Sequence, residues 1–328
     1  MDEQKVRWGI LGAARIIRRM IPGMQGAANA ELRAIASRDP EKGREAATKW
    51  GIPVVHNGYE ALLADPEIDA VYIPLPNAFH AEWCIKAAQA GKHVLCEKPI
   101  ALTQQDVAAI EASAQANHVQ VMEGFMYRFH PQQARLRELL AAGEIGEARV
   151  LRGTFAFSIA TPGYNIRLDE AVGGGATWDV GCYAVNVARW MLGEPRSVFA
   201  EASLVDGVDL SAAAILDFGN ERRAVLDYGM NYGRRSFYEI IGTQGALSVE
   251  NMWQEADPPA YLYRRTNERG LETEQFPPMN HFRLEVEAFG QAVLSGQPAP
   301  YPLSDSAANI RVCQALLQSI KEKRVVEL

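Results

Sequence analysis

Cysteine is scarce in this chain: four thiols, Cys84, Cys96, Cys182 and Cys313, stand far apart in 328 residues, each in an apolar context. That excludes a disulfide framework, and no pair of them has the spacing of a metal-binding or redox motif. The six histidines show no H-E-x-x-H or other paired ligand spacing, so no metal is expected. No apolar run approaches the ~18 residues needed to span a membrane. Basic excess is also missing: 33 Lys and Arg against 40 Asp and Glu leave a formal net charge of −7. The chain therefore lacks a global positive field that would draw nucleic acid or an anionic bilayer. The opening MDEQKVRWGILGAARII carries acids where a secretory leader carries bases, and Arg15 breaks its apolar stretch. With buried, reduced thiols expected, the expected compartment is the cytoplasm.

What is present is ordinary globular material, 48% hydrophobic and 22% charged, in a length that predicts about two domains. The first third alternates short β-branched runs with helical patterns. Strands are expected at 6–11, 32–37, 70–73, 93–96 and 119–122, and helices at 15–24, 78–90 and 103–117. A further helix opens at Asp39-Pro40-Glu41, a capping residue before a proline. Such alternation needs crossover connections and gives a doubly wound parallel sheet of the Rossmann type. After about residue 125 the pattern changes. A helix at 132–142 and a strand at 148–157 precede a Gly-rich turn and a helical 176–192. Strands follow at 198–204, 212–217, 224–230, 237–241 and 246–249, joined by turns at Gly219-Asn220 and 242–245 suited to antiparallel hairpins. Two helices close the chain, one with Phe282, Val286, Phe289 and Val293 on a face, the other with Val312, Leu316 and Ile320. The expected division is 1–124, a dinucleotide-binding domain, and 125–328, an α+β domain with a large, mostly antiparallel open sheet. One face of that sheet is left uncovered by the predicted helices, so a homodimer or homotetramer is expected.

Four segments carry chemistry. GILGAARII (9–17) joins the first strand to the first helix, where unpaired amides and the positive helix end suit a pyrophosphate. It departs from G-x-G-x-x-G, with Ala14 and Ile17 in place of glycines, and by itself also fits an ordinary tight turn. The second strand ends in Ser37-Arg38-Asp39. A hydroxyl and a guanidinium suit a 2′-phosphate, whereas an NAD site wants an acceptor there; a solvated surface arginine is the plainer alternative. Glu97-Lys98-Pro99 follows a strand at its carboxyl end, where open α/β sheets bind ligands. In GGGATWDVGCY (173–183), Asp179 and Tyr183 are four apart and share a helix face. His80-Ala81-Glu82 has the H-x-E of zinc deaminases, but no P-C-x-x-C follows. Neither G-x-S-x-G nor a Walker A sequence occurs.

Taken in order, Gly9 to Ile17, Pro74-Leu-Pro-Asn77 with His80, AGKHVLCEKP (90–99), MYRFHP (126–131) and 173–183 resemble the glucose–fructose oxidoreductase / inositol dehydrogenase (Gfo/Idh/MocA) family. With Asn165-Ile-Arg167 and Tyr183, the resemblance is nearest the branch of NADP-dependent xylose dehydrogenases and dimeric dihydrodiol dehydrogenases. It implies a pyrophosphate held by Gly12, Ala13, Ala14, Arg15 and Ile16, and Pro74, Asn77, His80 and Glu97 as further cofactor-binding residues. It implies that Lys98 meets both the nicotinamide ribose and a substrate hydroxyl, with Arg128, Arg167, Trp178, Asp179 and Tyr183 on the substrate. Tyr183 stands where many inositol dehydrogenase relatives have histidine.

The expected activity is hydride transfer between NADP (or NAD) and an aldose or related cyclic polyhydroxy compound. A ketosugar reductase or trans-diol dehydrogenase is the alternative within the family. A dinucleotide-sensing regulator without turnover is the alternative outside enzymology, and it needs neither Lys98 nor Tyr183. Lys98, Tyr183 and Asp179 are the candidate catalytic residues; the sequence leaves open which of them moves the proton.

Overall fold

The computed structural model describes residues 4–159, 164–251 and 259–328. The chain divides into two compact units, Met1–Met126 with Asn280–Ala307, and Tyr127–Met279 with Ala308–Leu328.

The first unit opens as an alternating run: β1 (Val6–Leu11), α1 (Ile17–Gly26), β2 (Ala30–Ser37), α2 (Pro40–Trp50), β3 (Val54–Asn57), α3 (Tyr59–Leu63), β4 (Ala70–Ile73), α4 (His80–Gln89), β5 (His93–Glu97), α5 (Gln104–Ala116) and β6 (Val121–Gly124). The strands lie in the order β3-β2-β1-β4-β5-β6, all parallel. That is the doubly wound arrangement expected, and its crevice lies at the carboxyl ends of the central strands. All four residues of β4 are buried, as a central parallel strand covered on both faces requires. Helix starts are set locally. Asp39 Oδ1 accepts from Glu41 N at 3.0 Å and Lys42 N at 3.3 Å, with Pro40 at the first helical position. Thr103 Oγ1 accepts from Asp106 N at 3.1 Å and donates to Asp106 Oδ2 at 2.7 Å. β3 and α3 were not anticipated: β3 is a four-residue edge strand whose residues are exposed or half-buried, so it shows neither alternation nor a buried run.

The second unit contains α6 (Pro131–Ala141), β7 (Ala148–Ser158), α7 (Cys182–Leu192), β8 (Ser197–Val205), β9 (Val208–Gly219), β10 (Arg222–Gly229), β11 (Asn231–Gly242), β12 (Gly245–Glu250), β13 (Ala260–Thr266) and β14 (Gly270–Phe276). Beyond them the chain forms α8 (His281–Ser295), α9 (Leu303–Glu322) and β15 (Val326–Glu327). Nine strands make one sheet, ordered β14-β13-β12-β11-β7-β10-β9-β8-β15. It is antiparallel except where β7 and β10 run parallel. The hairpin turns fall at Gly219-Asn220 and between Gly242 and Gly245. Along β9 and β10, Ala214, Leu216, Ala224 and Leu226 are buried, whereas Ile215 and Val225 remain 50% and 42% exposed. The sheet thus has one core face and one outer face that still carries apolar groups.

The domain boundary differs from the sequence reading. Residues 280–307 were expected in the second domain, but they cluster with the first unit, and the division recurs inside α9. The reason is α8, whose Phe282, Val286 and Phe289 are buried. Phe289 lies 5.8 Å, centroid to centroid, from Trp8 of β1, and Asn29 Nδ2 donates to Glu287 O at 2.9 Å. Periodicity marks an apolar face but not the surface that receives it.

Candidate active site

In the first unit, the turn from β1 to α1 presents backbone groups. Gly12 has φ +123°, and a Cβ there would sit 3.1 Å from Leu75 Cδ2, so the turn needs glycine. Its N–H donates to Ala36 O at 2.7 Å. The amides of residues 13–16 make no backbone hydrogen bond, Ile16 gives α1 no side-chain cap, and the first turn holds no acid. This is a helix N-terminus with open donors, which fits a pyrophosphate despite the absent second and third glycines. Ile17, where the third glycine would stand, is buried in the core.

The end of β2 sorts its polar groups into a helix cap and two donors. Asp39 is consumed as the cap of α2. Ser37 Oγ accepts from Asp39 N at 3.2 Å and keeps its own proton to donate. Arg38 is exposed, its guanidinium 5.8 Å from the Phe79 ring centroid. Tyr59 packs edge-on against Trp83 at 4.8 Å; burial raises its hydroxyl, opposed by the Arg38 charge. The donor set, with no free carboxylate, fits a ribose bearing a 2′-phosphate.

Near the carboxyl end of β5, Glu97 Oε1 accepts from Tyr72 OH at 2.6 Å, and Lys98 is half-exposed before a cis bond to Pro99. Pro74 is buried and Asn77 half-exposed in the loop after β4. His80 corrects the sequence reading. It is fully buried, with Nε2 2.7 Å from Leu75 O and Nδ1 2.7 Å from Pro99 O. The ring therefore ties the loop after β4 to the Lys98-Pro99 turn, and it has no surface left for a cofactor. Burial lowers the ring to about 4, so it is neutral, and its single N–H donates to one of the two carbonyl oxygens that flank it.

In the second unit, a π-helical turn at Thr177–Gly181 leads into α7; such turns recur at functional sites. Asp179 Oδ2 accepts from Arg167 Nε at 2.6 Å, and the Arg167 guanidinium also lies 5.6 Å from the Phe157 ring centroid. The loop that supplies Arg167 is stapled by Asn165 Oδ1, accepting from Arg167 N at 3.1 Å, and by Gly175 N donating to Arg167 O at 2.9 Å. Tyr183 is nearly buried, its ring 5.3 Å from Phe155 edge-on and 6.2 Å from Tyr127. Tyr127 OH in turn donates to Asn186 Oδ1 at 2.5 Å. The Arg128 and Arg137 guanidiniums lie 4.7 Å and 4.8 Å from the Trp190 ring centroid. Trp178 is 8% exposed and belongs to the packed interior of its unit.

Sequence reasoning did not single out Thr177 of this turn or its partner Asp209 of β9. Asp209 Oδ2 of β9 accepts from Thr177 N at 2.6 Å and from Thr177 Oγ1 at 2.7 Å. No local signal could have revealed the pair, because they are 32 positions apart. Among the described residues, no cluster of three or more His, Cys, Asp or Glu side chains is arranged to hold a metal ion.

Comparison with known proteins agrees with this geometry. Residues 6–125 match the model of the Gfo/Idh/MocA oxidoreductase family, NAD-binding Rossmann fold, and residues 133–248 match the Gfo/Idh/MocA C-terminal domain. The chain is 38% identical to a D-xylose 1-dehydrogenase (NADP(+)) of Haloferax volcanii, over 98% of this chain and 99% of that one. It is 36% identical to a dTDP-3,4-didehydro-2,6-dideoxy-alpha-D-glucose 3-reductase of Saccharopolyspora spinosa, over 97% of each. Among solved structures, a 3-ketoreductase from Actinomadura kijaniata in complex with NADP and TDP-benzene superposes with a TM-score of 0.90 at 30% identity, covering 96% of this chain and 98% of that one.

Proposed function

The chain belongs to the Gfo/Idh/MocA oxidoreductase family, and from that premise we propose that it is an NADP-dependent dehydrogenase of aldoses. The observation that carries the cofactor choice is the end of β2, where Asp39 is spent as a helix cap and Ser37 and Arg38 are left as donors. The amides of residues 13–16 bind the pyrophosphate, and Pro74, Asn77 and Glu97 line the nicotinamide side. Bound nicotinamide supplies or accepts the hydride. Lys98 donates a hydrogen bond to the reacting oxygen and places a positive charge beside it. Tyr183 moves the hydroxyl proton. Asp179, held by Arg167 at 2.6 Å, orients a sugar hydroxyl, and Arg128 and Arg167 contribute further donors to a polyhydroxy substrate.

A screen of aldoses, ketoses, inositols and trans-diols with NADP⁺ and NAD⁺, followed by nicotinamide fluorescence, tests the reading. Turnover of a pentose or hexose with NADP⁺ supports it. Turnover confined to reduction of a nucleotide-linked ketosugar moves the assignment to the second reading, which the 36% identity to a dTDP-sugar 3-reductase favours. Turnover with neither sinks both.

The outer face of the nine-stranded sheet, with Ile215 and Val225 exposed, supports assembly as a homodimer or homotetramer. Sedimentation showing only a ~36 kDa species (36.1 kDa chain) at micromolar concentration overturns that assembly. The four buried cysteines, none in a disulfide, support work in a reducing compartment, the cytoplasm, and no helix among the described residues is long and apolar enough to cross a membrane.

A further inference from the structure

We propose that Asp209 is a positioning residue for the reaction: its carboxylate caps the π-helical turn from a distant strand and thereby fixes Asp179 and Tyr183. The inference rests on the roles proposed above for those two residues.

A helix start leaves its first amides unpartnered, and the residue just before it usually supplies an oxygen. Here that residue is Ala176, which is fully buried and offers no acceptor. The acceptor comes instead from Asp209, 4% exposed on β9, which takes both the Thr177 N–H at 2.6 Å and the Thr177 hydroxyl at 2.7 Å. Space for the carboxylate exists because residue 175 is glycine. Gly175 has φ +116°, and a Cβ there would collide with Asp209 Oδ1. The far end of the turn is clamped too, since a Cβ at Gly181 would lie 2.8 Å from Tyr228 Cε2. Tyr228 OH stands 3.1 Å from Thr177 Oγ1. Asp209, Thr177 and Tyr228 therefore hold both ends of the five residues that include Asp179 and lead directly to Tyr183.

The carboxylate is the one member of this clamp that titrates in the working range. Burial pushes Asp209 up to about 6, against the downward pull of the two hydrogen bonds from Thr177. Tyr228 of β10 is raised well above its usual range by burial, with the charges of Asp209, Cys313 and Tyr232 adding to the shift, so it stays neutral. Other ionisable groups around it are Cys313 of α9, Asp179 of the turn paired with Arg167 of the preceding loop, the Tyr232–Asp227 contact at 2.9 Å, and Glu170, which reaches the β8–β9 turn at Gly207. Above about pH 6 the cap is a carboxylate and its bonds are charge-assisted; below that value it becomes a neutral acid and the clamp weakens.

The test measures kcat against pH at saturating substrate and NADP⁺, together with amide exchange over residues 175–183, in the full-length protein. The wild type is expected to lose kcat as pH falls through about 6. Asp209→Asn keeps the shape and an acceptor but no charge. It is expected to lower kcat about 3- to 10-fold at pH 8, to remove the acid limb, and to leave the KM for NADP⁺ unchanged. Thr177→Val deletes a bond that favours the ionised form, so its acid limb should move to higher pH. A purely structural role would shift no limb. If Asp209→Asn fails to fold, the direction of the Thr177→Val shift still decides. Unchanged amide exchange in Asp209→Asn, or an unmoved limb in Thr177→Val, overturns the proposal. Faster exchange with an unaltered kcat leaves a structural cap and overturns the positioning role, whereas the roles of Asp179 and Tyr183 stand or fall with Tyr183→Phe.

Discussion

The β1–α1 turn and β2 end of the first unit and the π-helical turn of the second are built on opposite plans. The first uses groups contiguous in sequence: the open amides of residues 13–16, Gly12, and the Ser37-Arg38-Asp39 run, in which Asp39 caps α2 beside the donors Ser37 and Arg38. The second assembles its turn from side chains brought from elsewhere, Arg167 to Asp179 and Asp209 to Thr177. Contiguous groups of this kind are written in the sequence, because neighbours along the chain are neighbours in space. Sites assembled from remote side chains are silent in the sequence, and each depends on one hydrogen-bonded partner.

The largest expected effect breaks this contrast at the second unit. Tyr183→Phe keeps the ring against Phe155 and deletes only the hydroxyl. It is expected to lower kcat by about 10²–10⁴ and to flatten the rise of the oxidation rate with pH, with the NADP⁺ affinity unchanged. Lys98→Met, on the first unit, is expected to cost a similar factor. Steady-state kinetics of both variants provide the check; near-normal kcat in Tyr183→Phe would leave Asp179 as the base.

Next in size is Arg38→Ala. Loss of a charge-assisted contact should raise the KM for NADP⁺ by roughly 10–150-fold while moving that for NAD⁺ little. Equal changes for both cofactors would remove Arg38 from the 2′-phosphate site.

A third variant asks whether remoteness or burial makes the second unit sensitive. His130 is a local cap, its Nδ1 accepting from Gln132 N at 3.2 Å at the start of α6, yet it is 2% exposed. Burial lowers it to about 4. A histidine depressed below its unfolded value of ~6.5 contributes stability that is complete above that pH and lost as pH falls toward the folded value. By pH 4.5 the loss should be about 2 kcal/mol, roughly thirty-fold in the folding equilibrium. Urea denaturation at pH 7 and 4.5 should show a smaller difference for His130→Asn than for the wild type. An equal difference would dismiss His130 as a source of acid sensitivity.

The smallest effect is expected from Arg167→Met, which releases Asp179 while preserving contact with the Phe157 ring. The KM for sugar should rise about 5- to 10-fold with kcat largely kept. A fall in kcat alone would mean that the pair orients the transition state instead.

What the sequence made legible follows the same divide. The βα alternation, the Asp39 cap and the turn at Gly219-Asn220 rest on patterns local in the sequence, and each appears where expected. Lys98 and Tyr183 were named because they stand inside recognisable runs. β3 was missed because an edge strand of four exposed or half-buried residues has no pattern to show. His80 was placed on the cofactor by motif likeness alone, since nothing in a sequence says whether a ring nitrogen meets a ligand or a carbonyl such as Leu75 O. Asp209 and the allegiance of α8 were invisible for one reason: both are contacts between segments distant along the chain.

The return of α8 to the first unit has a consequence during synthesis. At a ribosomal pace of ~5–20 residues per second, roughly 10–30 s separate the emergence of β6 from that of α8. Through that interval Trp8 lacks the Phe289 ring that later packs against it. All of β7 to β14 is translated meanwhile. The unit begun first therefore stays incomplete while most of the second is made, and the nascent chain carries an open apolar seam that a chaperone can occupy until the helix arrives.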